Sequence, residues 1–230
     1  MRLSAGGASV TGPAHLQNGL PNQDALSISG LRGGWSIAVA DGLGSRPLSH
    51  IGSRKAVHLI RHLAQRGQNL QHSNIAQWLC RDWLAHFGDE YQAYETTCLW
   101  AWVDAKGHGV AGQIGDGLVL IKSQGIFNVL SGVRAGFGNQ TATLAQAAPS
   151  ECRSQRIELT QSGDGVLMMT DGIADDLVPE SLESFFDVIY QRQLRSNKRQ
   201  MRTWLTKELQ NWSTPQHGDD KSIAGFFRMD

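Results

Sequence analysis

The sequence predicts an α+β fold, with antiparallel sheets packed together and helices on the outside. Apolar segments follow the order strand, two helices, a run of strands, two helices, strand. The central strand-like runs are separated by Lys106-Gly107, Asp116-Gly117 and Gln124-Gly125, the punctuation of hairpins. That order also lacks the regular strand–helix alternation of a doubly wound parallel sheet.

The elements follow in turn. Residues 35–40, Trp-Ser-Ile-Ala-Val-Ala, read as a buried strand broken by Asp41-Gly42-Leu43-Gly44. Pro47 fits the first turn of a helix over 47–66, with Leu48, Ile51, Leu59, Ile60 and Leu63 on one face. Ser73 can cap a second helix, whose apolar side is Ile75, Trp78, Leu79, Trp83 and Phe87. Short β-like runs cover 96–103, 109–114, 117–122 and 126–130, and residues 131–156 are polar and irregular. A buried strand at 166–170 ends at Asp171-Gly172. Ser181 can cap a helix bearing Leu182, Phe185, Phe186, Ile189 and Tyr190. Met201, Trp204, Leu205, Leu209 and Trp212 mark another helix, and 223–227 is a closing strand.

Composition narrows the function classes. At 230 residues the chain fits a single domain over 1–230. Hydrophobic residues at 40% and charged residues at 18% exclude disorder as the dominant state. Lys+Arg and Asp+Glu are both 21, so no basic excess supports nucleic-acid binding. Cys80, Cys98 and Cys152 are widely spaced and indicate neither a disulfide framework nor a zinc knuckle. No signal-peptide layout and no membrane-length apolar run is present, so a cytoplasmic protein is expected.

The aspartates carry the chemical information. Asp41 and Asp171 each follow a buried strand and precede glycine. Asp116 lies between two glycines in an expected hairpin turn, Asp219-Asp220 precede the last strand, and Asp24 ends Pro21-Asn22-Gln23-Asp24. Each Asp-Gly pair by itself is an ordinary turn. Several such carboxylates converging at a sheet edge would repel one another unless cations sat between them, and oxygen ligands of this kind suit Mg²⁺ or Mn²⁺.

Five segments, in order, resemble the metal-dependent protein phosphatases of type 2C. They are Asn18 to Ala25, Val39 to Ser45, Thr96-Thr97 leading to Ile114-Gly115-Asp116-Gly117, Met169 to Asp175, and Gly218 to Ser222. The Gln23-Asp24 and Asp41-Gly-Leu-Gly-Ser45 wording, with Asn139-Gln140-Thr141, is similar to the compact bacterial branch. The resemblance implies a four-layer αββα sandwich and a serine/threonine phosphatase using two Mn²⁺ or Mg²⁺ ions, with a third possible.

It further implies roles. Asp41 would bridge both metals, helped by the Gly42 carbonyl, and Asp171 and Asp219 would complete the first metal site. Gln23 falls at the second site, Asp24 would hold metal-bound water, and Asp116 and Asp175 match the third metal. Asp220 would orient its neighbour. The implied reaction is direct attack on phosphoserine or phosphothreonine by a metal-bridging hydroxide, without a phospho-enzyme. Gln23 is neutral where a carboxylate is usual. The family's phosphate-holding arginine falls on Gly19, with His15 or Arg46 as replacements, and its general-acid histidine falls on Leu43. Residues 131–160 correspond to a small mobile flap against substrate. The implied partners are phosphorylated proteins, including a Ser/Thr kinase, met by a monomer in bacterial signalling. A non-catalytic phosphatase-like binding module, favoured by Gln23, is the alternative.

Other signals read as structural. His58 and His62 share a helix with Arg54, Lys55 and Arg61 and fit a solvated face rather than a metal pair. Gly112-x-x-Gly115-x-Gly117 lacks the strand-to-helix context of a nucleotide loop. His217 is a lone loop histidine, Cys98 a buried thiol, and the tryptophans at 78, 83, 204 and 212 core packing. The basic run Gln191 to Arg199 is a solvated helix junction.

Overall fold

The computed structural model describes residues 1–66, 75–131, 141–147, 151–212 and 218–230. Ten strands build two five-stranded antiparallel sheets. Sheet I has the order β1-β10-β9-β6-β7, from Leu3–Val10, Lys221–Arg228, Gly165–Met169, Leu118–Ser123 and Ile126–Val129. Sheet II has the order β2-β3-β4-β5-β8, from Ala25–Gly30, Trp35–Ala40, Cys98–Val103, His108–Ile114 and Arg153–Glu158.

The central strands are buried on both faces, so they read as continuous apolar runs whose alternate residues serve different layers. Ile37, Val39, Leu99, Ala101, Val166, Met168, Ala224 and Phe226 fill the space between the sheets. Their neighbours Ala38, Ala40, Cys98 and Trp100 face outward onto α2 (Ser49–Gln65) and α3 (Ile75–Phe87). On the other side Leu167, Met169, Ile223 and Phe227 pack under α5 (Leu182–Leu194) and α6 (Lys198–Gln210). The result is the expected sandwich, helices outside two sheets.

Several local expectations are corrected. The turn at Gly115-Asp116-Gly117 is not a hairpin: β5 lies in sheet II and β6 in sheet I, so the chain crosses between sheets there. A glycine turn looks the same in sequence whether the next strand pairs back or changes sheet. Residues 131–156 are not irregular throughout, because β8 pairs along β5. The same pairing removes 153–158 from any flap and makes them a sheet edge.

Pro47 precedes helix α2, which begins at Ser49, so it sits in the turn before the helix and not in its first turn. The face of α2 against the sheet is Gly52, Ser53, Ala56, Val57, Ile60 and Leu63, whereas Ile51 is exposed. Small residues let this helix approach closely, and the Gly52 carbonyl accepts a bond from Trp83 Nε1 at 3.1 Å. Ser181 makes no side-chain cap on α5. Asn197 instead forms a capping box with Gln200 on α6. Ser73 lies outside the described residues.

Strands β1 and β2 and the short helix α1 (Pro13–Asn18) carry weak sequence signals and exist through pairing. β1 lies beside β10 from Leu3↔Arg228 to Val10↔Lys221. Its glycines allow close approach: a Cβ on Gly6 would lie 2.5 Å from Gln193 Oε1 of α5.

Candidate active site

One rim of the sandwich collects the ends of both sheets. β3 delivers Asp41, β9 delivers Asp171 at the start of α4 (Asp171–Ala174), and β10 begins just after Asp219-Asp220. Gln23-Asp24 lead into β2, and Asp116 stands on the crossing from β5 to β6. Glycine next to Asp41 is required by packing, since a Cβ on Gly42 would lie 2.7 Å from the Ser49 carbonyl.

Backbone and hydroxyl bonds hold these loops. The Asp41 carbonyl accepts from Thr96 Oγ1 at 2.7 Å and from the Thr97 N–H at 2.8 Å. Thr97 Oγ1 in turn accepts the Asp41 N–H at 3.1 Å. Thr170 Oγ1 donates to Asp24 Oδ2 at 2.9 Å and accepts the Ser222 N–H at 3.0 Å, so β9, β10 and Asp24 are joined by one hydroxyl. The Gln23 carbonyl accepts from Ser53 Oγ at 2.6 Å and from the Gly42 N–H at 3.2 Å.

The electrostatics are those of crowded carboxylates. Burial holds the Asp41 carboxyl well above the usual range, and the charges of Asp24, Asp171 and Asp219 push it further. Burial likewise raises Asp24 well above that range, partly countered by hydrogen bonds from Ser222 and Thr170. Asp171 is raised by burial first and then by Asp116. Asp171 Oδ1 is buried with no hydrogen-bond partner among the described residues. A buried, bare carboxylate oxygen beside like charges is costly unless a cation completes it. The donor set is all oxygen, and it fits hard divalent ions.

Asp41 is therefore within electrostatic reach of Asp24, Asp171 and Asp219, and Asp171 is within reach of Asp116 as well. Asp219 is exposed, and its Oδ1 accepts the Asp220 N–H at 2.8 Å. Asp175 is exposed, four residues along from Asp171, with its N–H on the Asp171 carbonyl at 3.0 Å. Gln23 is buried, and a Cβ built on Gly44 would meet its Oε1 at 3.8 Å.

The expected phosphate contacts are both engaged. His15 Nδ1 sits 2.9 Å from Asp220 Oδ2. Arg46 Nε donates to Glu95 Oε2 at 2.7 Å. Thr141 Oγ1 donates to Asp116 Oδ2 at 2.7 Å, while Asn139, Gln140 and His217 lie outside the described residues.

Sequence reasoning missed Glu95 and gave Asp220 only the part of orienting its neighbour. Asp220 is a buried hub that accepts from the Gly12 N–H at 2.7 Å and the Gln23 N–H at 2.6 Å as well as facing His15. Glu95 is also fully buried beside the site. A charged residue immediately before the buried Thr96-Thr97 was the available signal for it.

Trp83 is fully buried, and Trp78, Trp204 and Trp212 are partly buried against the core. His58 and His62 lie on the exposed side of α2, Nε2 to Nε2 at 2.8 Å. Burial pushes the Cys98 thiol up, which makes it inert. Lys198 and Arg192 of the basic run lie over the Trp35 and Trp204 rings, at 4.2 and 5.1 Å from the ring centroids. No described helix is long and apolar enough to cross a membrane.

Fold and rim together define a four-layer sandwich with an acidic centre suited to divalent metal. A family model described as protein phosphatase 2C matches residues 11–210, and the chain belongs to that family. It is a metal-dependent protein-serine/threonine phosphatase, whose substrates are phosphoproteins.

Solved structures share the fold at low identity. The catalytic domain of the serine/threonine protein phosphatase PstP, in complex with two manganese ions, has a TM-score of 0.68 at 16% identity over 99% of each chain. A bacterial serine phosphatase has a TM-score of 0.68 at 15% identity, over 100% of this chain and 99% of that one. The photosystem II phosphatase PBCP has 0.67 at 14% identity over 99% of each. No curated protein matches the sequence.

Proposed function

We propose that the chain hydrolyses phosphoserine and phosphothreonine in proteins at the rim built by Asp41, Asp171 and Asp219. The observation that carries this reading is the bare, buried Oδ1 of Asp171 facing other raised carboxylates. Asp41, the Gly42 carbonyl, Asp171 and Asp219 would hold two Mn²⁺ or Mg²⁺ ions. Gln23 and Asp24 stand alongside, and Asp116 with Asp175 would offer a third, weaker position. When bound, such ions supply an activated water and neutralise charge developing on the phosphoryl oxygens.

The chain's own groups do the rest. Thr96, Thr97 and Thr170 lock the backbones and carboxylates of the loops, so little reorganisation accompanies reaction. Asp24 is buried, and Asp41 is half-buried at the rim. Arg46 and His15 would orient the substrate phosphate. Asp220 holds His15 at Nδ1, which leaves Nε2 as the nitrogen available to substrate. The neutral Gln23 amide would make the second metal position weaker than a carboxylate would. The substrates in this reading include a Ser/Thr kinase, and the protein acts as a cytoplasmic monomer in bacterial signalling.

The test is hydrolysis of a phosphothreonine peptide with Mn²⁺, with Mg²⁺ and with EDTA, by the native chain and by Asp171→Asn. Turnover that needs metal and vanishes in the variant is expected. A folded native chain inert with both metals on several peptides would overturn the catalytic reading and leave a phosphatase-like binding module.

A further inference from the structure

Three segments beside the metal loops meet on one buried carboxylate, Glu95. Its Oε2 accepts from Arg46 Nε at 2.7 Å. Its Oε1 accepts from Gln146 Nε2 at 2.8 Å and from Thr143 Oγ1 at 3.3 Å. One oxygen thus serves the loop that follows Asp41, and the other serves residues 141–147.

The backbone repeats the connection. The Glu95 carbonyl accepts the Leu43 N–H at 3.0 Å, and the Leu43 carbonyl accepts the Arg46 N–H at 2.9 Å. The Leu144 N–H donates to the Thr96 carbonyl at 3.0 Å. At the other end of 141–147, Thr141 is bonded to Asp116. The segment therefore spans from an acidic residue of the rim to the Arg46–Glu95 pair.

Exposure separates the two partners. The Glu95 side chain is 1% exposed and the Arg46 side chain 37%. Arg46 is held at Nε, and its two Nη nitrogens have no hydrogen-bond partner among the described residues. A guanidinium is planar, so fixing Nε also fixes the plane and direction of the remaining donors. Such a fork matches a phosphate or a carboxylate. Glu95 is a buried glutamate satisfied on both oxygens. It holds a cation whose side chain is itself partly exposed.

We propose that Glu95 is a positioning residue: it aims the Arg46 guanidinium at the substrate phosphate and seats residues 141–147 against the same loop. Phosphate and peptide recognition then share one anchor. This rests on the reading of Arg46 as a phosphate contact.

The test uses the Mn²⁺-loaded full chain on a phosphothreonine peptide, as native protein, Arg46→Ala, Glu95→Gln and the double variant. Glutamine keeps the shape of Glu95 and an acceptor for Gln146 but removes the negative charge that faces Arg46. Arg46→Ala is expected to raise KM about tenfold with kcat within about twofold. Glu95→Gln is expected to reproduce most of that rise, and the double variant to be no worse than Arg46→Ala, because the two residues act as one unit.

A lowered melting temperature with native KM in Glu95→Gln would mean a structural role only and overturn the proposal. Additive effects in the double variant would overturn it as well. If Glu95→Gln does not fold, Glu95→Asp keeps the charge while withdrawing it by one methylene. The same KM rise, absent in the Arg46→Ala background, is then expected. A native chain without metal-dependent turnover would instead sink the underlying phosphatase reading.

Discussion

Strand β9 carries an aspartate at each end, and the two are treated in opposite ways. Asp164, before the strand, is 1% exposed and fully supplied with donors. Its Oδ2 accepts the N–H groups of Thr160 at 2.8 Å, Gln161 at 2.9 Å and Gln124 at 3.1 Å, and its Oδ1 accepts that of Gly125 at 2.9 Å. Asp171, after the strand, has a buried Oδ1 with no partner among the described residues and other carboxylates for neighbours. One aspartate ties its own loop to the turn at Gln124-Gly125 and contributes to stability. The other is raised by burial and by the charge of Asp116, a state that a proton or a bound cation would relieve. Donor count, and not burial, separates the two carboxylates.

The comparison can be broken most directly by exchanging the two charges for amides. Asp171→Asn should lower peptide turnover by roughly a thousandfold, as expected when a metal ligand is lost. Its metal-free form should melt no lower than the native protein, since a repelling charge has gone. A large fall in melting temperature would make Asp171 structural after all. Asp164→Asn should do the reverse. Turnover stays within about twofold, while stability falls by about 2–3 kcal/mol as buried amides lose their acceptor, roughly 5–10 °C in Tm. Loss of activity in a folded Asp164→Asn protein would end the distinction.

Gln23→Glu sharpens the metal side. Adding the missing charge should tighten Mn²⁺ binding by roughly tenfold, measured calorimetrically on EDTA-stripped protein. Equal affinities would show that the neutral amide does not weaken the centre.

The smallest effect expected is on pH. Asp24, Asp41 and Asp171 have folded-state pKa values raised above the unfolded ones. The folded chain therefore holds protons that the unfolded chain has released. Metal-free stability should fall as pH rises from the ordinary carboxylate value through the raised ones. Thermal melts in EDTA should drop by a few degrees toward neutrality, on the order of 1 kcal/mol. Added Mn²⁺ should reverse the drop. Metal-free melts that rise toward neutrality would contradict the crowding of these carboxylates.

Much of this was legible in the sequence. Asp41-Gly42 and Asp171-Gly172 follow apolar runs, and both do end buried strands at the same rim. The helices of 47–66 and 182–212 were readable from apolar spacing, within a few residues. Strands β1 and β8 were not, for different reasons. Leu3–Val10 is rich in glycine, alanine and serine, which have weak strand preference, and depends on β10 for its form. Arg153–Glu158 is a polar edge strand whose alternation carries little apolar signal. The crossing at Asp116 was misread because local turn chemistry does not say which strand comes next.

Within the site, residue type was informative and rank was not. Asp219 and Asp220 are adjacent and chemically identical, yet Asp219 is exposed at the rim while Asp220 is buried among donors from Gly12, Gln23 and His15. The two stand just before β10, and donors from three distant positions decide which of them is buried.

The sequence by itself determined the sandwich class, the family and the set of acidic loops, because these rest on apolar patterning and on residue order along the chain. Only the tertiary structure decided that Glu95 joins Arg46 to residues 141–147, that Asp220 organises the loops around Gln23, and that one oxygen of Asp171 is left bare where both of Asp164 are satisfied. Each of those depends on donors and charges supplied by distant segments. Whether such groups meet is set by how the sheets stack and not by any one segment.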